Sequence, residues 1–363
     1  MSPAPSRPTL FERACRGERG EHAPVWIMRQ AGRYLPEYRE LRTEVDFLTA
    51  TKTPELAAEI TLQPMRRFAL DASIVFSDIM TPLEGMGIEL DFDPGPVIGN
   101  PVRTVAAAEA IRELDPHEST PYVMEALRLI RAELREEAAL IGFAGAPFTL
   151  FCYMVEGGGS KDFMEARSFL RREPEAGSAL LETLGQSMAR YLVAQAQAGA
   201  NAVMLFDSWV GLLGPQSFRR FALPVLQRCV EAIRAEVDVP VIYFANGGAT
   251  LLDETVQVGS DVMAIDWSLP LSRVTRQLGS EVVVQGNLDP AALFAPEDEL
   301  GAAIDDVLHE GRNAAAHIFN LGHGIHRTTD PARVAFLVDR VHETSRRLHE
   351  ELGIVPAPSA SAS

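Results

Sequence analysis

Short apolar runs, rich in β-branched and aromatic residues, recur along the chain of 363 residues. They fall at Val25–Met28, Ser73–Phe76, Leu140–Phe143, Ala202–Phe206, Val239–Phe244, Val262–Ile265, Val282–Gln285 and His317–Phe319. Each holds 3 to 6 residues, mostly unbroken by polar ones. That is the pattern of a strand buried on both faces. Helical patterns lie between them. Ala176–Ala198 is long and opens after Glu173-Pro174-Glu175, a start signal. Phe218–Glu236 contains Pro224, which predicts a kink. Val274–Leu278 is short, with Ser272 placed to cap it. Gly85–Pro101 alternates and then turns, which predicts a hairpin after the second strand.

Strand and helix alternating eight times predict an α/β fold, a single (β/α)8 TIM barrel. A doubly wound sheet would carry G-x-G-x-x-G after its first strand; Arg29-Gln30-Ala31-Gly32-Arg33 stands there instead. No repeat or linker divides the chain. The expected organisation is a flexible start at 1–8, the barrel at 9–353 and a disordered tail at 354–363.

Polar and small residues gather where the strands end. After the first come Arg29 and Arg33, four positions apart, with Gly32 between them and Tyr34 beyond. A strand that ends in a doubly cationic loop suits an anionic ligand. Later strands run into Ser77-Asp78, Gly145-Ala146-Pro147, Asp207-Ser208-Trp209, Asn246-Gly247-Gly248, Asp266-Trp267-Ser268, Gly286-Asn287-Leu288-Asp289 and Gly322-His323-Gly324. On a barrel these ends form the catalytic face. Asp78 has two readings, a pocket carboxylate that takes N–H donors or a helix cap. Tyr153 also has two, a phenol on an apolar ligand wall or an ordinary core residue. Ser208 can hydrogen-bond a carboxylate, and His323 is the best placed histidine. His326, His342 and His349 read as surface residues. Gly157-Gly158-Gly159-Ser160-Lys161 lacks the Walker spacing and reads as a flexible loop, a candidate lid.

Composition narrows the chemistry. The net charge of −17 disfavours nucleic acid and anionic membranes as partners, so an anionic ligand needs a local basic pocket. No apolar stretch is long enough to span a membrane, and the N-terminus lacks a secretory signal. The 3 cysteines, Cys15, Cys152 and Cys229, are far apart and predict a reducing compartment without a disulfide framework. No C-x-x-C, H-x-x-x-H or H-x-C spacing points to a metal. Neither Lys52 nor Lys161 sits on a strand end, which disfavours a Schiff base or pyridoxal phosphate. Any carbanion must then be stabilised by the substrate.

Two long segments resemble the uroporphyrinogen decarboxylase family: Pro24–Tyr38, and Gly142–Leu150 continuing to Tyr153 and Glu156-Gly157. Phe76–Ile79, Phe206–Trp209, Gln285–Pro290 and Asn320–Gly324 support them, and the likeness runs from about Arg7 to Leu352. It implies a (β/α)8 barrel, commonly a cytoplasmic homodimer, with no cofactor and no metal. The implied reaction removes carbon dioxide from the four acetate side chains of uroporphyrinogen III, giving coproporphyrinogen III. The implied catalytic residues are Asp78, Arg29, Tyr153 and His323. The implied substrate contacts are Arg29, Gln30, Ala31, Gly32, Arg33, Asp78, Tyr153, Phe206, Ser208 and His323. Arginines match carboxylates, and Asp78 suits pyrrole N–H groups. The proton donor stays open among Arg29, Tyr153, His323 and water. A zinc-dependent methyltransferase on the same barrel would need His-x-Cys where Tyr243-Phe244-Ala245-Asn246 stands. A tetrapyrrole carrier would need the arginines but no turnover.

Overall fold

The computed structural model describes residues 7–92 and 95–354. In chain order its strands are β1 (Ala72–Ile74), β2 (Leu90–Phe92), β3 (Pro96–Ile98), β4 (Ala139–Gly145), β5 (Ala202–Asp207), β6 (Val241–Ala245), β7 (Val262–Ile265), β8 (Val283–Leu288) and β9 (Ala316–Leu321). β1, β4, β5, β6, β7, β8 and β9 neighbour one another in that order, and every pairing is parallel. β2 and β3 form the expected hairpin, pairing Leu90 with Ile98. Residues 1–6 of the expected flexible start and 355–363 of the expected tail lie outside the described residues.

The expected first strand, Val25–Met28, is reduced to one parallel bridge between Val25 and Phe319. It still closes the sheet into a barrel. Phe319 donates its N–H to the Pro24 carbonyl at 2.8 Å on one side, and Asp71 donates to the Val25 carbonyl at 2.9 Å on the other. Side chains replace the rest of the ladder. The N–H groups of Val25, Ile27 and Met28 donate to Asp71 Oδ2, Gln30 Oε1 and Asn320 Oδ1. Buried N–H groups must find acceptors, and side-chain oxygens satisfy that as well as a strand does.

Other boundaries shift for local reasons. β6 starts at Val241 rather than Val239, because Pro240 has no N–H to donate. β1 stops at Ile74, and the Phe76 N–H donates to Thr61 Oγ1. Pro224 produces no simple kink. A π-helical turn, Phe218–Ala222, precedes the helix Leu223–Glu236, which places Pro224 in a first turn where its missing N–H is not needed. Ser272 is not the cap of the next helix, which begins at Leu271, whose N–H donates to Glu310 Oε2 at 2.9 Å.

At the N-terminal end of the strands, Asp71 ties three segments together. Its carboxylate accepts from His22 Nε2 at 3.1 Å and His342 Nε2 at 2.9 Å, as well as from Val25. Burial alone would raise this carboxyl, but the two histidine hydrogen bonds outweigh it and hold it down to about 2. His342 and His349, expected on the surface, are half-buried structural partners; His349 Nδ1 bonds the Gly20 carbonyl. At the opposite end, Asp207 is fully buried. It accepts from Thr149 Oγ1 at 2.7 Å and from the Tyr243 hydroxyl at 2.8 Å. Thr149 lies on the helix Pro147–Glu156, so Asp207 anchors that helix to β5 and β6. Burial lifts its carboxyl to about 6, against both hydrogen bonds.

Two outcomes follow. Asp71→Ala opens the seam and should lower unfolding free energy by about 2–4 kcal/mol, read from urea midpoints at neutral pH. Asp207 keeps its proton to higher pH folded than unfolded. Its contribution to stability is complete below about pH 4 and is lost as pH rises through about 6. Asp207→Asn should remove that decline between pH 4 and 7; identical slopes in the two proteins would contradict the assignment.

Candidate active site

The loop after the seam turns sharply at Arg29, whose φ is +66°. A non-glycine residue there is strained by roughly 1–3 kcal/mol, a cost that clusters at functional sites. The turn sends neighbouring side chains in opposite directions. Gln30 goes inward and is fully buried. Its Nε2 donates to the Ala72 carbonyl at 3.1 Å while its Oε1 accepts from Ile27 at 3.0 Å. Gln30, expected to touch substrate, thus has its side chain spent on the fold. Arg29 goes outward and is exposed.

Gly324 permits that course. A Cβ on Gly324 would lie 2.4 Å from Arg29 Cδ and 2.8 Å from its Nε. The arginine stem therefore lies directly across the glycine. Gly322 is crowded in the same way, because a Cβ there would lie 2.2 Å from the Trp267 backbone nitrogen. The two glycines around His323 are present because other chain segments press on both.

Arg29 projects into a mouth shared with three of the expected residues. Asp78, on the loop after β1, is half-buried. Its Oδ1 accepts the Met80 N–H at 2.9 Å, so it does cap the turn that follows. Burial raises its carboxyl, and the Met80 bond and the Arg29 charge pull it back down. Tyr153 is half-buried on the helix Pro147–Glu156, edge-on to Phe163 at 5.6 Å and Trp209 at 6.1 Å. Burial pushes its phenol up, and the charges of Asp78 and Arg29 act on it in opposite senses. His323 is pushed down by burial and by Arg29, with Asp266 opposing. One guanidinium therefore acts electrostatically on Asp78, Tyr153 and His323, which come from the loop after β1, the helix after β4 and the loop after β9.

Arg29 and Asp78 do not pair. Among the described residues neither Arg29 nor Arg33 takes part in an ion pair. An unpaired guanidinium keeps its donors for a ligand carboxylate. Arg33 is exposed, and its charge acts on Tyr38. Phe206 is buried and edge-on to Phe143 at 5.5 Å and Phe244 at 6.0 Å. Phe244 in turn meets His323 at 6.4 Å. Ser208 is half-buried, and its carbonyl accepts from Asn246 Nδ2 at 3.0 Å. Ala31 and Gly32 are partly buried beside Arg29. The Gly157–Lys161 loop, read as a lid, is tied to the hairpin: the Ile98 N–H donates to the Gly157 carbonyl at 3.0 Å.

Sequence reasoning gave no role to Asp207, Asn287 or Gly324. An aspartate ending a wholly apolar strand is the one signal that pointed at Asp207. For metal, the one group of three histidine, cysteine or acidic side chains close enough among the described residues is His22, Asp71 and His342, with ligand atoms within 4.8 Å. It stands at the other end of the barrel, and its atoms are hydrogen-bonded to one another.

The chain matches the model of one protein family, Uroporphyrinogen decarboxylase (URO-D), over residues 6–344. A protein named uroporphyrinogen decarboxylase in Carboxydothermus hydrogenoformans is 46% identical over 344 residues, covering 94% of this chain and 98% of that one. One of the same name in Trichlorobacter lovleyi is 47% identical, covering 93% and 99%. Among solved structures, a methyltransferase from Methanosarcina mazei superposes with a TM-score of 0.74 at 20% identity, covering 93% and 99%; that likeness speaks for the fold alone. With an unpaired arginine and a separate carboxylate at the mouth of a closed parallel barrel, and with matches along nearly its whole length, the chain belongs to the uroporphyrinogen decarboxylase family.

Proposed function

We propose that this protein decarboxylates the four acetate side chains of uroporphyrinogen III, giving coproporphyrinogen III, with residues 9–353 acting as one catalytic domain. The observation that carries this reading is an unpaired Arg29 sharing a mouth with Asp78 that it does not neutralise. The substrate presents carboxylates at its rim and pyrrole N–H groups at its centre. Arg29, with Arg33 further out, takes rim carboxylates, each charge-assisted bond contributing roughly 1.5–3 kcal/mol. Asp78 accepts pyrrole N–H groups.

The chemistry needs an acceptor for two electrons. Protonation of a pyrrole carbon makes a cationic ring. The bond from the acetate methylene to its carboxyl carbon then breaks, its electron pair flows into the ring, and carbon dioxide leaves. A second proton converts the exocyclic methylene to methyl, and loss of the proton first added to the ring carbon restores the aromatic pyrrole, so that one proton is taken up overall for each carbon dioxide released. Asp78 stabilises the cationic ring more than the neutral one, which is what accelerates the step. Because the ring is the electron sink, the reading calls for no cofactor.

Neither Tyr153 nor His323 is set up by its surroundings to deliver the first proton: one is made a weaker acid and the other is held in its unprotonated form. The phenol is pushed up and the imidazole down, so His323 is neutral near pH 7. The first proton is left to Arg29, a reluctant acid, or to water beside it. The family resemblance also supports a homodimer in the cytoplasm. No helix among the described residues is long and apolar enough to cross a membrane.

Anaerobic incubation with uroporphyrinogen III, with products counted by carboxylate number, tests the reading. Stepwise loss to the four-carboxylate product is expected, and unchanged substrate would end it. Asp78→Asn should remain folded and lose at least ~100-fold in turnover, the scale of removing one preorganised charge-stabilising group. A carrier without turnover would bind the macrocycle and release no carbon dioxide. Gly324→Ala should displace the Arg29 stem, lowering kcat/KM about 10-fold or more while Arg29 stays in place chemically. The same kcat/KM in both proteins would detach Arg29 from the site.

A further inference from the structure

The ring series at the mouth continues past His323. Phe143, Phe206 and Phe244 are buried, His323 is half-buried, and Trp267 meets His323 edge-on at 6.1 Å. Trp267 is 47% exposed. The series thus runs from the barrel interior to its rim and ends in an indole facing solvent. Large aromatic rings usually earn their place by burial, and this one is left out.

The backbone that carries it is nevertheless fixed from several sides. Asp266 Oδ1 accepts the Ser268 N–H at 2.7 Å, and its Oδ2 accepts the Gly247 N–H at 2.7 Å. Asn287 Nδ2 donates to the carbonyls of Asp266 at 2.8 Å and Leu269 at 2.7 Å. Gly322 lets the β9 loop press on the Trp267 backbone. The loops after β6 and β9 and the end of strand β8 therefore converge on the β7 loop that carries Trp267, and none of them buries its ring. A rigidly held, exposed indole against His323, which itself lies within electrostatic reach of Arg29, is arranged for a ligand with both an apolar face and charges.

We infer that Trp267 is a substrate-contact residue, the outer end of an aromatic wall against which one pyrrole ring of the tetrapyrrole rests. The inference rests on the function proposed above. Arg29 holds carboxylates at the rim, and the wall holds the ring plane, so the two together fix the tilt of the macrocycle over Asp78. Indole is the strongest aromatic partner for a cationic ring, so contact persists when the pyrrole is protonated.

The test compares wild type with Trp267→Ala and Trp267→Phe in the anaerobic assay. Trp267→Ala should raise KM about 5- to 30-fold, change kcat less than about threefold and leave the thermal midpoint unchanged. Trp267→Phe should recover most of the loss. Coproporphyrinogen III, the unreactive product, should alter tryptophan emission in wild type by a component that Trp267→Phe lacks. A wild type that releases no carbon dioxide overturns the proposed reaction, while the emission titration still reads contact at Trp267. An active wild type with unchanged KM in Trp267→Ala and no difference in emission overturns the inference. Emission that changes on protein dilution and not with tetrapyrrole also overturns it, placing Trp267 between copies of the chain.

Discussion

Arg29 and Asp78 face one mouth without forming a pair, and the proposed chemistry depends on that separation. Had they met, each would have cancelled the other, leaving neither a grip for carboxylates nor an anion for a cationic ring. Two features keep them apart. Asp78 is occupied by the Met80 N–H, and the Arg29 stem is laid across Gly324. The strained backbone at Arg29 is tolerated because Gln30, its neighbour, is anchored on both sides in the core.

The two ends of the barrel use polar groups in opposite ways. At the N-terminal end, Asp71 binds two histidines and a backbone N–H. Its bonds are internal, and they hold the weakest seam of the sheet. At the C-terminal end, Arg29 and Arg33 are unpaired among the described residues, and Trp267 is left uncovered. A chain with net charge −17 repels polyanions at a distance, but salt screens that field beyond about 10 Å. In the proposed reaction, local cations at the mouth then decide binding. Asp207 links the two concerns, since it holds the helix that carries Tyr153 to the strands that carry Phe206 and Phe244.

Most of the barrel was legible in the amino-acid order. Seven of the eight expected runs are strands, because continuous apolar runs of that length have one comfortable place, a sheet covered on both faces. The hairpin and the long helix Pro174–Gln197 followed from alternation and from proline at a helix start. The failures share a cause. The Val25–Met28 ladder and the cap at Leu271 each depend on a partner distant in sequence, Asn320 and Glu310. His342 was misplaced likewise, and the inward turn of the Gln30 side chain was not legible, since a polar residue beside a strand reads the same whether it points at solvent or at a buried acceptor.

Residue order fixed which chemical groups exist and which strand end each one follows, since periodicity and spacing are local properties. Closure of the sheet decided which of those groups meet. It brought loops separated by nearly 300 residues within electrostatic reach of Arg29, turned Gln30 inward and left Trp267 at the rim. Those outcomes depend on direction and distance in space, which the linear pattern does not encode.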